Sequence, residues 1–179
     1  CCGHPCCKEN GVSRRAGGRQ AQARLAGEDY ARTESRGHEF LYAAFHGDVR
    51  KMRKVIDGLS AAVAKTKFAK EAELALRSLL DFIDPRDFCT AAYAAAETNR
   101  LEAVRLMHEM RAELDKPTTD GKGSPPAAIA AKHGQTSMVQ LLHDLGADVH
   151  RADNDGGLPI HDAAREGRDK TAIKSVFKI

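Results

Sequence analysis

Two consecutive segments decide the fold, and they have the sequences DGKGSPPAAIAAKHGQTSMVQLLHDLGADVHRA (residues 120–152) and DNDGGLPIHDAAREGRDKTAIKSVFKI (residues 153–179). Six residues of the first segment recur in the second at a constant offset of 33 positions. They are Asp120, Gly123, Pro126, Ala130, Ala131 and Gly134. A constant period of this length indicates a stack of similar structural units.

The strings LPIHDAAREG (residues 158–167) and MVQLLHDLGADV (residues 138–149) resemble the ankyrin repeat. That family has a period of 33 residues and carries T-P-L-H-x-A-A, a glycine and a V-x-x-L-L helix. The resemblance implies an all-α solenoid of helix-turn-helix units with short β-turn fingers. Pro159 suits the first turn of a helix, where its missing N–H needs no partner. Gly146 is placed to end a helix in the left-handed conformation.

Two units upstream follow the pattern less closely. Over residues 85–117, Ala95 and Ala96 align with Ala130 and Ala131 at an offset of 35, whereas residues 38–59 match only an Ala-Ala pair and Gly47. We therefore predict units over residues 38–59, 85–117, 120–152 and 153–179. An extra amphipathic helix over residues 60–83 is expected to pack between units or as an amino-terminal cap.

The repeats depart from the family at two positions. The threonine that precedes the proline is replaced by Pro125 and Leu158, so the hydroxyl N-cap is absent from both units. The family histidine remains only as His161, whose ring is expected to hydrogen-bond neighbouring backbone rather than to act as a base or a ligand. We expect a divergent array of moderate stability, because each repeat depends on its neighbours.

Composition also favours helices. Apolar residues make up 42% of the chain, but aromatic residues make up only 5% and there is no Trp. A core of Ala and Leu suits close-packed helices better than sheets. Residues 1–37 are rich in Gly and Arg, with seven Lys or Arg against four Asp or Glu. A segment this poor in apolar surface is predicted to be a disordered basic arm, apart from a short helix over residues 20–32.

The cysteine distribution favours a reducing, intracellular setting. Four of the five cysteines lie within the first seven residues and the fifth is Cys89, so they cannot cross-link a fold. No segment is long and apolar enough to span a membrane, and the start lacks an export signal. We expect a cytoplasmic protein, with the nucleus as the second choice.

Three candidate sites were weighed and set aside. The string CCGHPCC (residues 1–7) could bind zinc or copper or be acylated, but the crowded ligands favour a tail with incidental thiols. The arginines of SRRAGGRQAQAR (residues 13–24) have no interleaved aromatic residue, so a linker is favoured over a nucleic-acid contact. Asp84, Asp87 and Cys89 do not supply a base, an oxyanion hole and a nucleophile together, so we predict no enzyme.

The resemblance implies that the finger tips and first helices form a concave surface to which proteins bind. Position by position, this surface consists of Lys122, Ser124, Lys132, His133, Asn154, Asp155, Asp162, Arg165 and Glu166. We predict a monomeric scaffold that binds a protein partner and uses no cofactor, metal or small-molecule substrate. The alternative is a regulatory or targeting fragment of a larger enzyme or channel whose catalytic part lies outside this chain.

Overall fold

The computed structural model describes the backbone of residues 23–63 and 69–167, and the side chains of residues 34–61 and 73–167. These residues form eight helices, joined by turns and loops. They are α1 (Ala23–His46), α2 (Val49–Val63), α3 (Ala69–Leu80), α4 (Ala91–Glu97), α5 (Leu101–Glu109), α6 (Pro126–Lys132), α7 (Thr136–Asp144) and α8 (Pro159–Arg165).

The helices are arranged in two layers. In the first layer α1, α4, α6 and α8 pack against one another in that order, and in the second layer α2 contacts α5, which contacts α7. Short turns join α1 to α2, α4 to α5 and α6 to α7, so each pair is one helix-turn-helix unit. This arrangement confirms the predicted all-α solenoid. The fourth unit is described as far as residue 167, which includes its first helix.

Small side chains allow the first-layer helices to pack closely. Helix α4 has the sequence AAYAAAE and α6 has PAAIAAK, and nearly every residue of both is buried. Ala96 and Ala131, which occupy equivalent positions, are 0% exposed. Pro126 and Pro159 each open a helix, as predicted.

The core lies between the two layers. It consists of apolar residues at three-to-four-residue spacing in the second-layer helices, such as Val104 and Met107 in α5 and Val139 and Leu142 in α7, which are at most 1% exposed. The alanines of the first layer pack against these larger side chains in the same cluster. Each unit therefore buries its apolar face only when the next unit is present.

The first helix extends further towards the amino terminus than residue 38, the predicted start of the first unit. A single helix, α1, runs from Ala23 to His46 without a break at residue 37. Gly37 is buried because the ring of Phe82, a residue 45 positions away, packs on its Cα. This tertiary contact lies in the part of α1 between the short helix predicted over residues 20–32 and the first unit predicted from residue 38, a part that was predicted to be disordered. The predicted disorder of residues 1–22 lies outside the described residues.

The extra helix also differs from the prediction. In the described part of residues 60–83, α2 continues to Val63, α3 spans Ala69–Leu80, and residues 81–83 lie beyond the end of α3. Helix α3 packs against both α1 and α2, whereas α1 contacts α4 directly. The extra segment therefore does not separate the first two units. A continuous amphipathic period in the sequence cannot reveal that α3 packs against the first helix pair.

Candidate functional site: the finger surface

Three loops between successive units form the fingers, over residues 84–89 (first finger), 119–124 (second finger) and 153–157 (third finger). In the second finger, the Asp120 carboxylate accepts hydrogen bonds from the Thr118 hydroxyl at 2.8 Å and from the Lys122 amide at 3.0 Å. In the third finger, Asp153 accepts from the Gly157 amide at 2.6 Å. Both aspartates therefore hold tight turns.

The pKa of Asp120 reflects these hydrogen bonds. Partial burial raises it, but the bonds from Thr118 and from the amides of Gly123 and Lys122 outweigh burial, and the net pKa lies below the ordinary value. The carboxylate is therefore ionised at neutral pH. Its charge stabilises the shape of the second finger.

Backbone hydrogen bonds join neighbouring fingers. The Thr119 amide donates to the Phe88 carbonyl at 2.9 Å, which links the second finger to the first. The Asn154 amide donates to the Lys122 carbonyl at 2.9 Å, and the Asn154 side chain donates to the Gly121 carbonyl at 2.9 Å. The three fingers therefore form one continuous edge rather than three independent loops.

The first finger is anchored to α1 through a buried carboxylate. The side chain of Asp84 is 4% exposed and lies 2.9 Å from Nδ1 of His38. It also accepts hydrogen bonds from the Arg86 amide at 2.8 Å and from the Arg86 guanidinium at 3.3 Å. Burial raises the pKa of Asp84, but the bonds from Arg86 and the charges of His38 and Arg86 bring it below its ordinary value. This contact ties the first unit to the second.

Seven of the nine predicted surface residues are exposed. They are Lys122, Lys132, His133, Asn154, Asp155, Arg165 and Glu166. They lie on the second and third fingers and at the carboxyl ends of α6 and α8. Asn154 and Arg165 also hold local structure, because Asn154 bonds the second finger and Arg165 contacts Asp162 at 3.2 Å.

The other two predicted surface residues, Ser124 and Asp162, are buried, with exposures of 7% and 6%. Ser124 pairs across the second finger with Thr118, whose hydroxyl accepts from the Ser124 amide at 2.9 Å. Asp162 lies one repeat after Ile129, which is also buried because α6 and α8 pack together. Neither side chain is available to a partner in this conformation.

Two local details bear on the family pattern. The Leu158 amide lies 3.3 Å from Nδ1 of His161, which confirms the expected contact between this ring and neighbouring backbone. Thr90 caps α4 by accepting a hydrogen bond from the Tyr93 amide at 3.2 Å. This cap was not predicted from the sequence. Thr90 could have been found, because it aligns with Pro125 at the offset of 35.

Phe88 was also overlooked. It lies in the first finger with φ of +56° and is 43% exposed, which makes it a large apolar side chain on the predicted binding side. The neighbouring Cys89 is buried, and burial raises the pKa of its thiol to about 12. The thiol is therefore protonated at neutral pH and is not poised as a nucleophile.

The residues that the structure describes contain no cluster of three or more His, Cys, Asp or Glu side chains arranged to hold a metal ion. None of the helices in the described ranges has the length and apolar character needed to cross a membrane.

Comparison with known proteins agrees with this architecture. A family model described as "Ankyrin repeats (3 copies)" matches residues 38–153 and 91–174. The chain is 32% identical over 143 residues to "Ankyrin repeat protein nuc-2" of Neurospora crassa, an alignment that covers 79% of this chain and 11% of that relative. The chain thus spans only a small part of the length of this curated relative. Since the family model covers most of the chain and fits the stacked helix pairs and fingers, the chain belongs to the ankyrin-repeat family.

Proposed function

We propose that this chain is a protein-interaction module that presents its finger surface to a protein partner. The finger surface consists of the three fingers together with the exposed residues at the carboxyl ends of α6 and α8. Ankyrin repeats are generally protein-interaction modules, and the chain belongs to that family. The observation that carries the proposal is the continuous finger edge, in which Thr119 and Asn154 join three successive loops. A hydrogen-bonded edge is ordered before binding, so less entropy is lost when a partner docks.

The exposed residues suit such a role. Lys122 and Asp155 lie on adjacent fingers and carry opposite charges, and His133 and Glu166 follow the ends of α6 and α8. Charged groups on the rim of an interface set the partner and the association rate more than the affinity. The module is therefore expected to choose its partner by charge pattern along the fingers.

A scaffold without catalytic activity fits the chemistry of the described residues. The Cys89 thiol is buried with a raised pKa, and the ring of His161 lies at hydrogen-bond distance from backbone. We further propose that the module is monomeric, takes no small-molecule substrate and works in the cytoplasm or the nucleus. Light scattering of the purified chain measures its oligomeric state.

The test compares the partner affinity of two variants. One reverses two positive charges on or beside the fingers, and the other reverses two positive charges on the second helix layer. Proteins captured from cells by the wild-type chain are identified, and the affinity of the purified candidate is then measured by calorimetry. The double variant Lys122→Glu with Lys132→Glu should weaken binding at least about 10-fold, which corresponds to roughly 1.4 kcal/mol. Its circular dichroism should match that of the wild type.

The matched control is Lys54→Glu with Arg105→Glu. Both residues are exposed, lie on α2 and α5, and give the same change in net charge. This variant should bind as the wild type does. If the control variant loses as much affinity as the finger variant, or the finger variant loses none, the partner docks elsewhere.

A second candidate function is that the chain is the regulatory or targeting part of a larger enzyme or channel. It is favoured by the comparison, because the aligned part makes up only 11% of the relative. The complete transcript would reveal any further domain. Deleting the region that corresponds to residues 38–179 from the full-length protein should then change its regulation or location and leave its basal activity intact. An unchanged phenotype on both counts would reject this candidate.

A further inference from the structure

Phe88 occupies a position that belongs to glycine in the neighbouring units. It aligns with Gly123 at the offset of 35, and Gly123 aligns with Gly156 at the offset of 33. All three residues have positive φ, at +56°, +66° and +79°. A side chain with a Cβ is disfavoured in this left-handed region, and a bulky aromatic residue there is an outlier.

Packing offsets this strain only in part. Phe88 is 43% exposed, so a large share of its apolar surface faces solvent. Exposed apolar area in a strained backbone lowers the stability of the free protein. Strain of this kind persists where the surrounding structure holds it, and it is concentrated at binding and catalytic sites.

The backbone of Phe88 is held from both sides. Its amide donates to the Asp84 carbonyl at 2.7 Å, and its carbonyl accepts from the Thr119 amide at 2.9 Å. Asp84 is itself fixed by His38 and Arg86. The ring therefore projects from a rigid finger at a fixed position along the edge that the three fingers share.

The residue that follows Phe88 belongs to a small apolar cluster. Cys89, which follows Phe88, is buried in a small cluster with Leu41 and Ala94, and the half-buried rings of Phe45 and Tyr93 pack against that cluster. Phe88 is the one aromatic residue of the three fingers. The exposed charged residues predicted from the sequence lie on the second and third fingers and at the carboxyl ends of α6 and α8. Phe88 therefore adds a large apolar side chain to an edge whose other exposed residues are mostly polar or charged.

We propose that Phe88 is a specificity-determining contact of the finger surface and that it packs against an aliphatic or aromatic side chain of a partner polypeptide. This inference rests on the proposed function and names the chemistry of the partner at one end of it. Aromatic residues, Phe among them, are enriched at protein interfaces and contribute much of the buried apolar area there. Phe88 is also pre-ordered, since its backbone is fixed in the free protein.

The test uses a phage-displayed library of random 16-residue peptides as the probe. Peptides enriched on the full wild-type chain are synthesised, and their dissociation constants are measured by fluorescence anisotropy. They should contain a large apolar residue. Phe88→Gly should weaken their binding at least about 30-fold, the range of an interface hot spot. Phe88→Tyr, which keeps the ring, should stay within about 3-fold of the wild type.

The stability of the Phe88→Gly variant distinguishes a binding role of Phe88 from a structural one. Because glycine relieves the strain at φ of +56°, the urea midpoint of Phe88→Gly should equal or exceed that of the wild type while affinity falls. Leu74→Ala is the matched control, because Leu74 is 67% exposed but lies on α3, outside the fingers. Peptide binding to this variant should be unchanged.

The outcomes separate this inference from the proposed function. The role of Phe88 is overturned if the peptides bind Phe88→Gly as tightly as the wild type but lose affinity for the Lys122→Glu with Lys132→Glu variant. That result would still support the finger surface as the binding site. Peptides that are insensitive to both variants, or a wild-type chain that enriches none, count against both proposals. A Phe88→Gly variant that unfolds more easily than the wild type would mean that the ring serves stability, and the inference fails.

Discussion

Replacing Arg111 with glycine should stabilise this protein, although the substitution removes a long side chain. Arg111 follows α5 and has φ of +62°, and it aligns with Gly146, which follows α7 with φ of +84°. Both amides make the same bond, from Arg111 to the His108 carbonyl and from Gly146 to the His143 carbonyl, each at 2.9 Å. The end of α5 in the second unit therefore has the same backbone conformation as the end of α7 in the third unit, but with Arg111 where the third unit has a glycine.

The expected gain follows from two opposing effects. A Cβ in the left-handed region costs roughly 1–2 kcal/mol, which Arg111→Gly removes. Glycine gives the unfolded chain extra freedom, which costs roughly 0.5–1 kcal/mol. The side chain of Arg111 is exposed, so little packing is lost. The net expectation is a stabilisation of about 0.5–1 kcal/mol, or roughly 1–4 °C in the melting temperature of a chain of this size.

Urea unfolding monitored by circular dichroism measures this change. Arg111→Ala is the control, because alanine also removes the long side chain but keeps the Cβ, so it should not stabilise. The reciprocal change, Gly146→Ala, should cost about 1 kcal/mol or more. A Cβ at Gly146 would meet no atom within 4 Å, so this cost comes from the backbone alone. If Arg111→Ala stabilised as much as Arg111→Gly, the explanation by backbone strain would be wrong.

Four further changes test other parts of the structure. Asp84→Asn should destabilise by about 2 kcal/mol at pH 7, because it removes the charge of a buried carboxylate and one of the two acceptor oxygens that face Arg86 and His38. The folded state lowers the pKa of Asp84, so the contribution of its charge is present above the unfolded value near 3.8 and is lost as pH falls through the folded value. The urea curves of the variant and of the wild type should therefore converge as pH falls below 3.8, and a constant gap would contradict this. Gly37→Ala should lower the free energy of unfolding by about 1–3 kcal/mol, because a Cβ at this position would overlap the ring of Phe82. Thermal melting measures this loss, and an unchanged melting temperature would mean that the ring moves freely. Met107→Ala should lower the free energy of unfolding by about 2–5 kcal/mol, measured by urea unfolding, since Met107 is 0% exposed between the two layers. A loss below about 1 kcal/mol would mean that neighbouring side chains close the cavity. Cys89 should be alkylated at pH 8 more than about 100-fold more slowly in the folded than in the urea-unfolded protein, because its thiol is buried and has a raised pKa. Mass spectrometry of the digested chain measures the rate, and equal rates would place the thiol at the surface.

The candidate site was only partly predictable, and the errors have a common cause. Ser124 and Asp162 were assigned to the surface as polar residues, but both occupy positions that are buried in another unit, where Cys89 aligns with Ser124 and Ile129 aligns with Asp162. Comparison of all units, including the degenerate second one, would have revealed this burial. Phe88 escaped notice for the opposite reason, because an aromatic residue in a loop suggests a core contact until its exposure is known.

The repeating units were evident in the amino-acid sequence. Offsets of 33 and 35 residues between small, apolar and glycine positions specify which residues open each helix and which face its neighbour, because these requirements are local and recur in every unit. The extent of α1 and the path of α2 and α3 were settled by tertiary structure alone. Gly37 stays helical because Phe82 covers it, and α3 packs on the first helix pair. Contacts between residues far apart in the chain leave no periodic pattern, so only the folded arrangement reveals them.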